Sequence, residues 1–153
     1  MSIEAVKKYL ARWGRDGDII EHELSTATVA DAARSLGVEP ARIAKSISLK
    51  KNGGAFVLVT AGDMKIDNRK FKESFGFKAT MLSHSEAFRL TGHEVGGVCP
   101  FALPEGVETY LDISLKRFTT VFPACGSGNS AIELTMDELN EYSANCAWVD
   151  VCK

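Results

Sequence analysis

Residues 43–61, IAKSISLKKNGGAFVLVTA, contain the pattern that decides the fold. Apolar and polar side chains alternate over residues 43–50, which is typical of a strand with one buried face. Asn52-Gly53-Gly54 follows, a sequence strongly favoured in tight hairpin turns, and an apolar strand over 56–61 comes next. The stretch therefore predicts a β-hairpin.

The length and composition indicate one soluble domain. The chain has 153 residues, of which 45% are hydrophobic and 25% charged, so we expect a single domain over 1–153. Its apolar runs are too short to span a membrane, and Glu4 and Trp13 do not suit a signal peptide. We therefore expect a cytoplasmic protein with no membrane partner.

Helical spacing and end signals predict five helices. Ile3, Val6, Leu10 and Trp13 recur at steps of three and four residues, which predicts a helix over 2–13, an appendage to the domain that ends near Gly14. A second helix has Thr28 and Asp31 at its start and Gly37 at its end. The other three are predicted at 67–75, from Ser83 or Ser85 to Leu90, and from Thr135 over Tyr142.

The remaining apolar segments predict short strands at 79–82, 109–113, 119–125, 130–134 and 147–151, with Pro123 favouring an edge or a bulge. Many of the connections look like hairpins, which favours a mixed sheet over a doubly wound parallel one. The predicted fold class is thus α/β, a single domain with a mixed, curved sheet flanked by helices.

Lys45 breaks the alternation of the first strand. Period two places Ile43, Lys45, Ile47 and Leu49 on one face, so that a lysine occupies the apolar phase. One interpretation is that Lys45 lies near the strand end and extends its ammonium to solvent. The other is an inward lysine directed at a carbonyl or phosphate in the concavity of the sheet, since a buried ammonium needs an anion or loses its proton.

Two glycine-rich loops are candidates to face Lys45. Gly96–Pro100, GGVCP, combines glycines that permit close approach of a ligand with a proline that stiffens the loop. Gly126–Gly128, GSG, can present successive backbone N–H groups to an anion. Composition alone also suits a structural turn at the first loop and a hairpin turn at the second.

The cysteines and histidines show no recognised catalytic or metal spacing. The four cysteines form no CxxC pair, so free thiols are expected. Cys99 with His93 is conceivable as a nucleophile and its base, but no acid nearby would orient the pair. Asp63, Asp67 and Asp112 suit turns and caps rather than a metal site, so we predict no metal and no cofactor.

Charge is unevenly distributed along the chain. The formal charge of −2 separates into −1 for residues 1–44, +5 for 45–78 and −6 for 79–153. A near-neutral total excludes extensive binding along a nucleic acid by bulk electrostatics. The basic middle segment is either a solvated helix face and hairpin tip or a surface that faces phosphate.

Several strings taken together resemble the YbaK/EbsC family of aminoacyl-tRNA deacylases, which are related to the editing domain of bacterial prolyl-tRNA synthetases. They lie in family-like order over about residues 25–149. The strings are TATVADAARSLGV, ARIAKSIS, Gly62-Asp63, GGVCPF, Asp112 and CGSGNSAIEL. The resemblance implies a strongly curved, barrel-like sheet and hydrolysis of the ester that joins a wrong amino acid to tRNA, most often tRNA for proline carrying cysteine, alanine, serine or threonine.

The resemblance also implies roles for particular residues. Lys45 matches the family's essential lysine, and Gly96 begins its GxxxP loop, so these two are expected to be catalytic without a protein nucleophile. The expected substrate-binding residues are Gly97, Val98, Pro100, Gly126, Ser127, Gly128 and His93. The expected partners are the acceptor end of aminoacyl-tRNA and prolyl-tRNA synthetase. A non-catalytic module that binds aminoacyl-tRNA or a synthetase is the alternative.

Overall fold

The predicted hairpin forms the centre of a six-stranded sheet. The computed structural model describes residues 2–23 and 28–153. In that part of the chain the helices are α1 (Ser2–Leu10), α2 (Val29–Leu36), α3 (Asn68–Phe75), α4 (His84–Thr91) and α5 (Met136–Tyr142). The strands are β1 (Ile20–Glu21), β2 (Ile43–Lys51), β3 (Gly54–Ala61), β4 (Glu108–Asp112), β5 (Thr120–Pro123), β6 (Ser130–Ala131), β7 (Leu134–Thr135) and β8 (Trp148–Val149).

The sheet is mixed, as predicted. Its strand order is β7-β5-β2-β3-β4-β8. The β2–β3 and β5–β7 pairs are antiparallel, whereas β2–β5, β3–β4 and β4–β8 are parallel. A two-stranded sheet of β1 and β6 is joined to it by a bridge from Ala124 to Ala131. The whole forms a curled half-barrel with helices around it, which confirms the expected fold class.

The two faces of the hairpin bury different parts of the chain. Val57 and Val59 of β3 belong to a core that includes α1 and α5. Phe56 and Leu58, on the opposite face, pack in a second core with Phe71 of α3. Successive side chains of a strand point in opposite directions, so β3 contributes residues to both cores.

The helix ends follow the predicted signals. Thr28 accepts a hydrogen bond from the Asp31 N–H, and Gly37 ends α2 in the left-handed conformation. The Asp67 side chain accepts hydrogen bonds from N–H groups in the first turn of α3, and left-handed Gly76 ends that helix. Ser83, rather than Ser85, caps α4 through a reciprocal capping box with Glu86.

Several predicted strands are wrong in extent. Residues 79–82 form only a bridge, from Met81 to Leu49, because α4 starts immediately afterwards. The predicted strand over 130–134 is divided, since β6 pairs with β1 whereas β7 pairs with β5. The strand predicted over 119–125 is shortened to β5, and Pro123 at its end lies opposite Ala44 of β2.

The first helix is packed into the main core. Val6 and Leu10 are both fully buried, in the same cluster as Val57 and Val59. A 3₁₀ turn and left-handed Gly14 follow, as expected from the sequence. The apolar stripe of α1 therefore closes one side of the half-barrel.

We expect the substitution Leu10→Ala to lower the free energy of unfolding by about 2–5 kcal/mol, because it removes buried methyl groups and leaves a cavity. Denaturant unfolding followed by circular dichroism measures the change. Lys8→Ala, at an exposed position of the same helix, is the matched control and should change stability little. An equal, small effect of both substitutions would contradict the packing of α1.

Candidate functional site

A cavity of about 380 Å³ opens beside the middle of β2. This volume is within the range of small-molecule sites. Its wall combines α2, β2, the start of the glycine loop at Gly96, and the segments on either side of loop 126–128. The lining residues with most bearing on chemistry are Ala44, Lys45, Ser46, Ser48, Gly96 and Val98.

The cavity exists because one edge of β2 is only partly paired. On that edge β5 pairs with Ile43 and Ala44, and the segment before α4 accepts a hydrogen bond from Lys50 N–H and donates one to the Ser48 carbonyl. Between Ala44 and Ser48 no strand of the described chain pairs with this edge. The polar backbone groups of alternate residues point to the same edge of a strand, so the N–H and C=O of Ser46 face the gap.

Ser46 and Ser48 lie on one face of β2, and both residues line the cavity. They share that face with Ala44, which belongs to the core of α1 and α5. The Oγ atom of Ser46 is buried and has no hydrogen-bond partner. Ser48 is 8% exposed. Sequence reasoning did not select these serines, although their alternation with Ile47 and Leu49 was a signal that two hydroxyls share a face.

Lys45 lies at the edge of the cavity, on the opposite face of β2 from Ser46. Its ammonium donates a hydrogen bond to the carbonyl of Met64. Partial burial lowers the pKa of Lys45 from its ordinary value. Neither interpretation from the sequence describes this arrangement fully, because the lysine is held by a backbone carbonyl at the cavity rim. Its other two N–H donors meet no acceptor among the described residues and are available to a ligand.

The two glycine loops lie against each other. A Cβ at Gly97 would be 2.8 Å from both Gly126 C and Ser127 N, so only glycine permits this approach. Gly96, which has a φ of +96°, lines the cavity together with Val98. The loop over 126–128 supports Gly97 from behind, and the cavity wall is formed instead by Ala124 and Ser130 on either side of it.

The loop over 126–128 is in turn held by α1. A Cβ at Gly126 would be 2.7 Å from Ser2 Oγ and 2.9 Å from Val6 Cγ2. Ser127 Oγ donates to Ser130 Oγ at 2.7 Å. Lys45, Gly96 and Val98 are therefore the predicted site residues that share the cavity, whereas Gly97, Pro100, Gly126, Ser127, Gly128 and His93 lie outside its lining.

His93 is a buried bridge between elements. Its Nε2 is 2.8 Å from the Phe101 carbonyl, which can only accept, so Nε2 carries the proton. Nδ1 then accepts a hydrogen bond from Ser2 Oγ, which joins α1 to the loop. Burial lowers the pKa of His93, which favours this neutral form.

Cys99 is not arranged as a nucleophile. Its sulfur is 3.5 Å from His93 Nε2, the nitrogen that already carries a proton and so cannot act as a base. Burial raises the pKa of Cys99 to about 12. Because the thiolate is the reactive form, this thiol is inert near neutral pH.

Acids from elsewhere in the fold neutralise part of the basic middle segment. Three of its eight cations pair with carboxylates outside the segment, in the pairs Lys50–Glu86, Lys51–Glu108 and Lys70–Asp150. Arg69 pairs with Glu73, which is already counted in the segment's net charge of +5. These exposed pairs each contribute little to stability, but they reduce the local field that an anion would meet.

Within residues 2–23 and 28–153, His, Cys, Asp and Glu side chains form no group of three or more that could hold a metal ion. None of the helices there has the length and apolar character needed to cross a bilayer.

A curled mixed sheet with a cavity at the open edge of a central strand defines a class of fold, and the sequence comparisons identify the family. The sequence profile of the aminoacyl-tRNA editing domain matches residues 23–142. The chain therefore belongs to the aminoacyl-tRNA editing domain family.

Relatives of known sequence extend this result. The uncharacterized protein YwhH of Bacillus subtilis is 56% identical over 154 residues, covering 100% of this chain and 98% of YwhH. The proline–tRNA ligase of Bacillus licheniformis is 29% identical over 131 residues, covering 85% of this chain. The match extends over only 23% of that ligase.

Solved structures agree with the fold. A candidate trans-editing enzyme for prolyl-tRNA synthetase is 26% identical and superposes with a TM-score of 0.88, covering 99% of this chain and 97% of that one. A hypothetical protein at 30% identity superposes with a TM-score of 0.85 over 97% of this chain and 99% of its own.

Buried His93 is expected to make stability depend on pH. Its pKa is lower in the folded chain, so the unfolded chain binds the extra proton as the pH falls below about 6.5. Stability is then lost toward acid pH, with a slope of at most about 1.4 kcal/mol per pH unit from this group. Denaturant unfolding between pH 7.5 and 5 should show a shallower loss for His93→Gln than for wild type. If the free energy of unfolding fell equally with pH in both proteins, the lowered pKa of buried His93 would be contradicted.

The thiols should differ sharply in reactivity. Cys146 is exposed, whereas Cys99, Cys125 and Cys152 are buried. At pH 8, iodoacetamide should therefore modify Cys146 in the folded protein and leave the other three protected, as mass spectrometry of peptides would show. All four should react in denaturant. Modification of Cys99 as fast as Cys146 in the folded protein would contradict its burial.

Proposed function

We propose that this protein is a trans-editing aminoacyl-tRNA deacylase that removes a wrong amino acid from tRNA, with tRNA for proline as the main candidate. Membership of the editing-domain family supports an editing role. The likeness to a candidate trans-editing enzyme for prolyl-tRNA synthetase supports this choice of tRNA. The working unit would be the domain over 1–153, in the cytoplasm, with the synthetase as a partner that helps to select the tRNA.

The observation that carries the proposal is the cavity at the open edge of β2, with Lys45 on one side and Gly96 on the other. It is large enough for an aminoacyl group and too small for a folded RNA. Exposed Met81 and Val95 border it and offer apolar surface to the terminal nucleoside. Only the acceptor end of a tRNA would then enter, which agrees with the limited positive charge of the surface.

The chemistry would use water rather than a protein nucleophile. A water oxygen attacks the ester carbonyl, the carbonyl–ribose oxygen bond breaks, and the ribose oxygen leaves with a proton. The products are the free amino acid and intact tRNA. A hydroxyl of the terminal ribose would assist the proton transfer, and backbone groups of the loop at Gly96 would position the ester.

Lys45 would contribute charge. Two of its N–H donors remain after the bond to Met64, and they would stabilise negative charge on the ester oxygen or the terminal phosphate. The other proposed residues would act by holding the loop that lines the cavity in position. Gly97, supported by Gly126, Ser127 and Gly128, would set the position of Gly96 and Val98. Pro100 and His93 would fix the loop, since neither lines the cavity.

We expect Lys45→Ala to lower the rate of deacylation of mischarged tRNA for proline by at least ten-fold, because no other described residue places an ammonium at the cavity rim. The panel should carry cysteine, alanine, serine and threonine, with release of the amino acid measured. Lys50→Ala is the matched control, since it removes a lysine of the same strand that is paired with Glu86.

Equal rates for Lys45→Ala and wild type would remove the catalytic role of Lys45. Binding of every mischarged tRNA without release of any amino acid would instead indicate a non-catalytic binding module.

A further inference from the structure

The ammonium of Lys45 is held by a backbone carbonyl and not by an acid. It donates a hydrogen bond to the carbonyl of Met64, in the segment that follows β3. A neutral carbonyl binds an ammonium less strongly than a carboxylate does, and it leaves the full positive charge in place. The charge at the cavity rim therefore depends on keeping acids away from Lys45.

The acid that could pair with Lys45 is Asp63, the residue before Met64. Because the ammonium is bonded to the carbonyl of the next residue, standard bond lengths place it within about 9 Å of the Asp63 Cα. The charge of Asp63 already acts to raise the pKa of Lys45, against the larger lowering by burial. Lysine has a flexible four-carbon stem, so a free carboxylate at Asp63 would be within its reach.

Arg117 occupies that carboxylate. Its Nη2 donates to Asp63 Oδ1 at 2.6 Å, and its Nη1 donates to Oδ2 at 3.1 Å. This bidentate geometry engages both oxygens and orients the carboxylate toward the arginine. The two side chains are 44% and 42% exposed, and an exposed ion pair contributes little to stability. The main effect of the pair is therefore on the direction in which the negative charge of Asp63 points.

Arg117 is itself tied to the end of β3. Its Nε donates to the carbonyl of Ser114 at 2.8 Å, and Ser114 Oγ accepts from the N–H of Ala61 at 3.1 Å. The N–H of Ser114 donates to the buried carboxylate of Asp112 at 2.9 Å. The guanidinium is thus anchored to the strand from which the segment of Asp63 emerges.

We propose that Arg117 is a positioning residue that holds Asp63 away from Lys45 and so leaves the ammonium available to the substrate. The proposal rests on the role of Lys45 in the proposed deacylase function. Neither Arg117 nor Asp63 lines the cavity, so both act through Lys45. Without Arg117, Asp63 would pair with Lys45, neutralise its charge and draw it from the cavity rim.

The test is whether a second substitution repairs the first. The substrate is the mischarged tRNA for proline that wild type hydrolyses fastest. Arg117→Ala should lower kcat/KM by about five-fold or more, because Asp63 then captures Lys45. Asp63→Asn in the same chain removes the capturing charge, so the double variant should return to within about two-fold of Asp63→Asn alone. Arg69→Ala is the matched control, since it removes an exposed arginine paired with Glu73, and it should keep the wild-type rate.

A double variant as slow as Arg117→Ala would overturn the proposal, because a structural role of the ion pair cannot be repaired by altering its second partner. A wild-type rate for Arg117→Ala would overturn it too. Thermal unfolding should give nearly equal melting temperatures for all variants, since the pair is exposed. Loss of activity through unfolding of Arg117→Ala would indicate a structural role and would also contradict the proposal.

The titration of Lys45 tests the same contact without any tRNA. NMR of the lysine side chains, with the Lys45 signal assigned through Lys45→Arg, should give a higher pKa for Lys45 in Arg117→Ala than in wild type. Adding Asp63→Asn should lower it again. If wild type hydrolyses no ester but these shifts occur, the deacylase function fails and the role of Arg117 stands. Hydrolysis that Arg117→Ala leaves unchanged, with no shift at Lys45, gives the reverse result.

Discussion

The interrupted pairing of one edge of β2 is the constraint on which the site depends. A central strand normally has hydrogen-bonded neighbours along both edges, and here the outer edge has them only at its two ends. The gap is maintained because β5 ends at Pro123, and the segment that crosses the other end turns directly into α4. Backbone N–H and C=O groups that a neighbouring strand would otherwise hydrogen-bond therefore face a cavity.

The loops around this gap form a chain of close approaches. Gly97 touches the loop at Gly126, and Gly126 touches Ser2 and Val6 of α1. His93 connects α1 to the carbonyl of Phe101 through its two ring nitrogens. The glycine motifs therefore fix how closely these backbone segments approach each other. Because α1 is packed in the hydrophobic core, its contact with Gly126 fixes the position of the loops next to the cavity.

Local features were predictable from the sequence, and features that depend on distant pairing were not. The hairpin at Asn52-Gly53 and the caps at Thr28 and Gly37 are set within a few residues, so the pattern identified them. The division of 130–134 into two strands depends on β1 and β5, which no local pattern specifies. Lys45 stands out in the sequence because it breaks the alternation of its strand, whereas Gly96 is selected because its loop resembles a family motif. Ser46 breaks no local rule, since a serine is ordinary on the polar phase of a strand until the fold buries that face.

The shortness of the gap in β2 has a consequence for self-association. An exposed strand edge is a template on which another chain can add a strand, and proteins usually protect such edges. Here the free stretch covers only the residues between Ala44 and Ser48, with β5 and the segment around Met81 closing it at either end. A foreign strand would need a longer run of free backbone to pair stably. The unpaired N–H and C=O groups of β2 are thus accessible to a small ligand, but the free stretch is too short for a strand of another chain to pair with it.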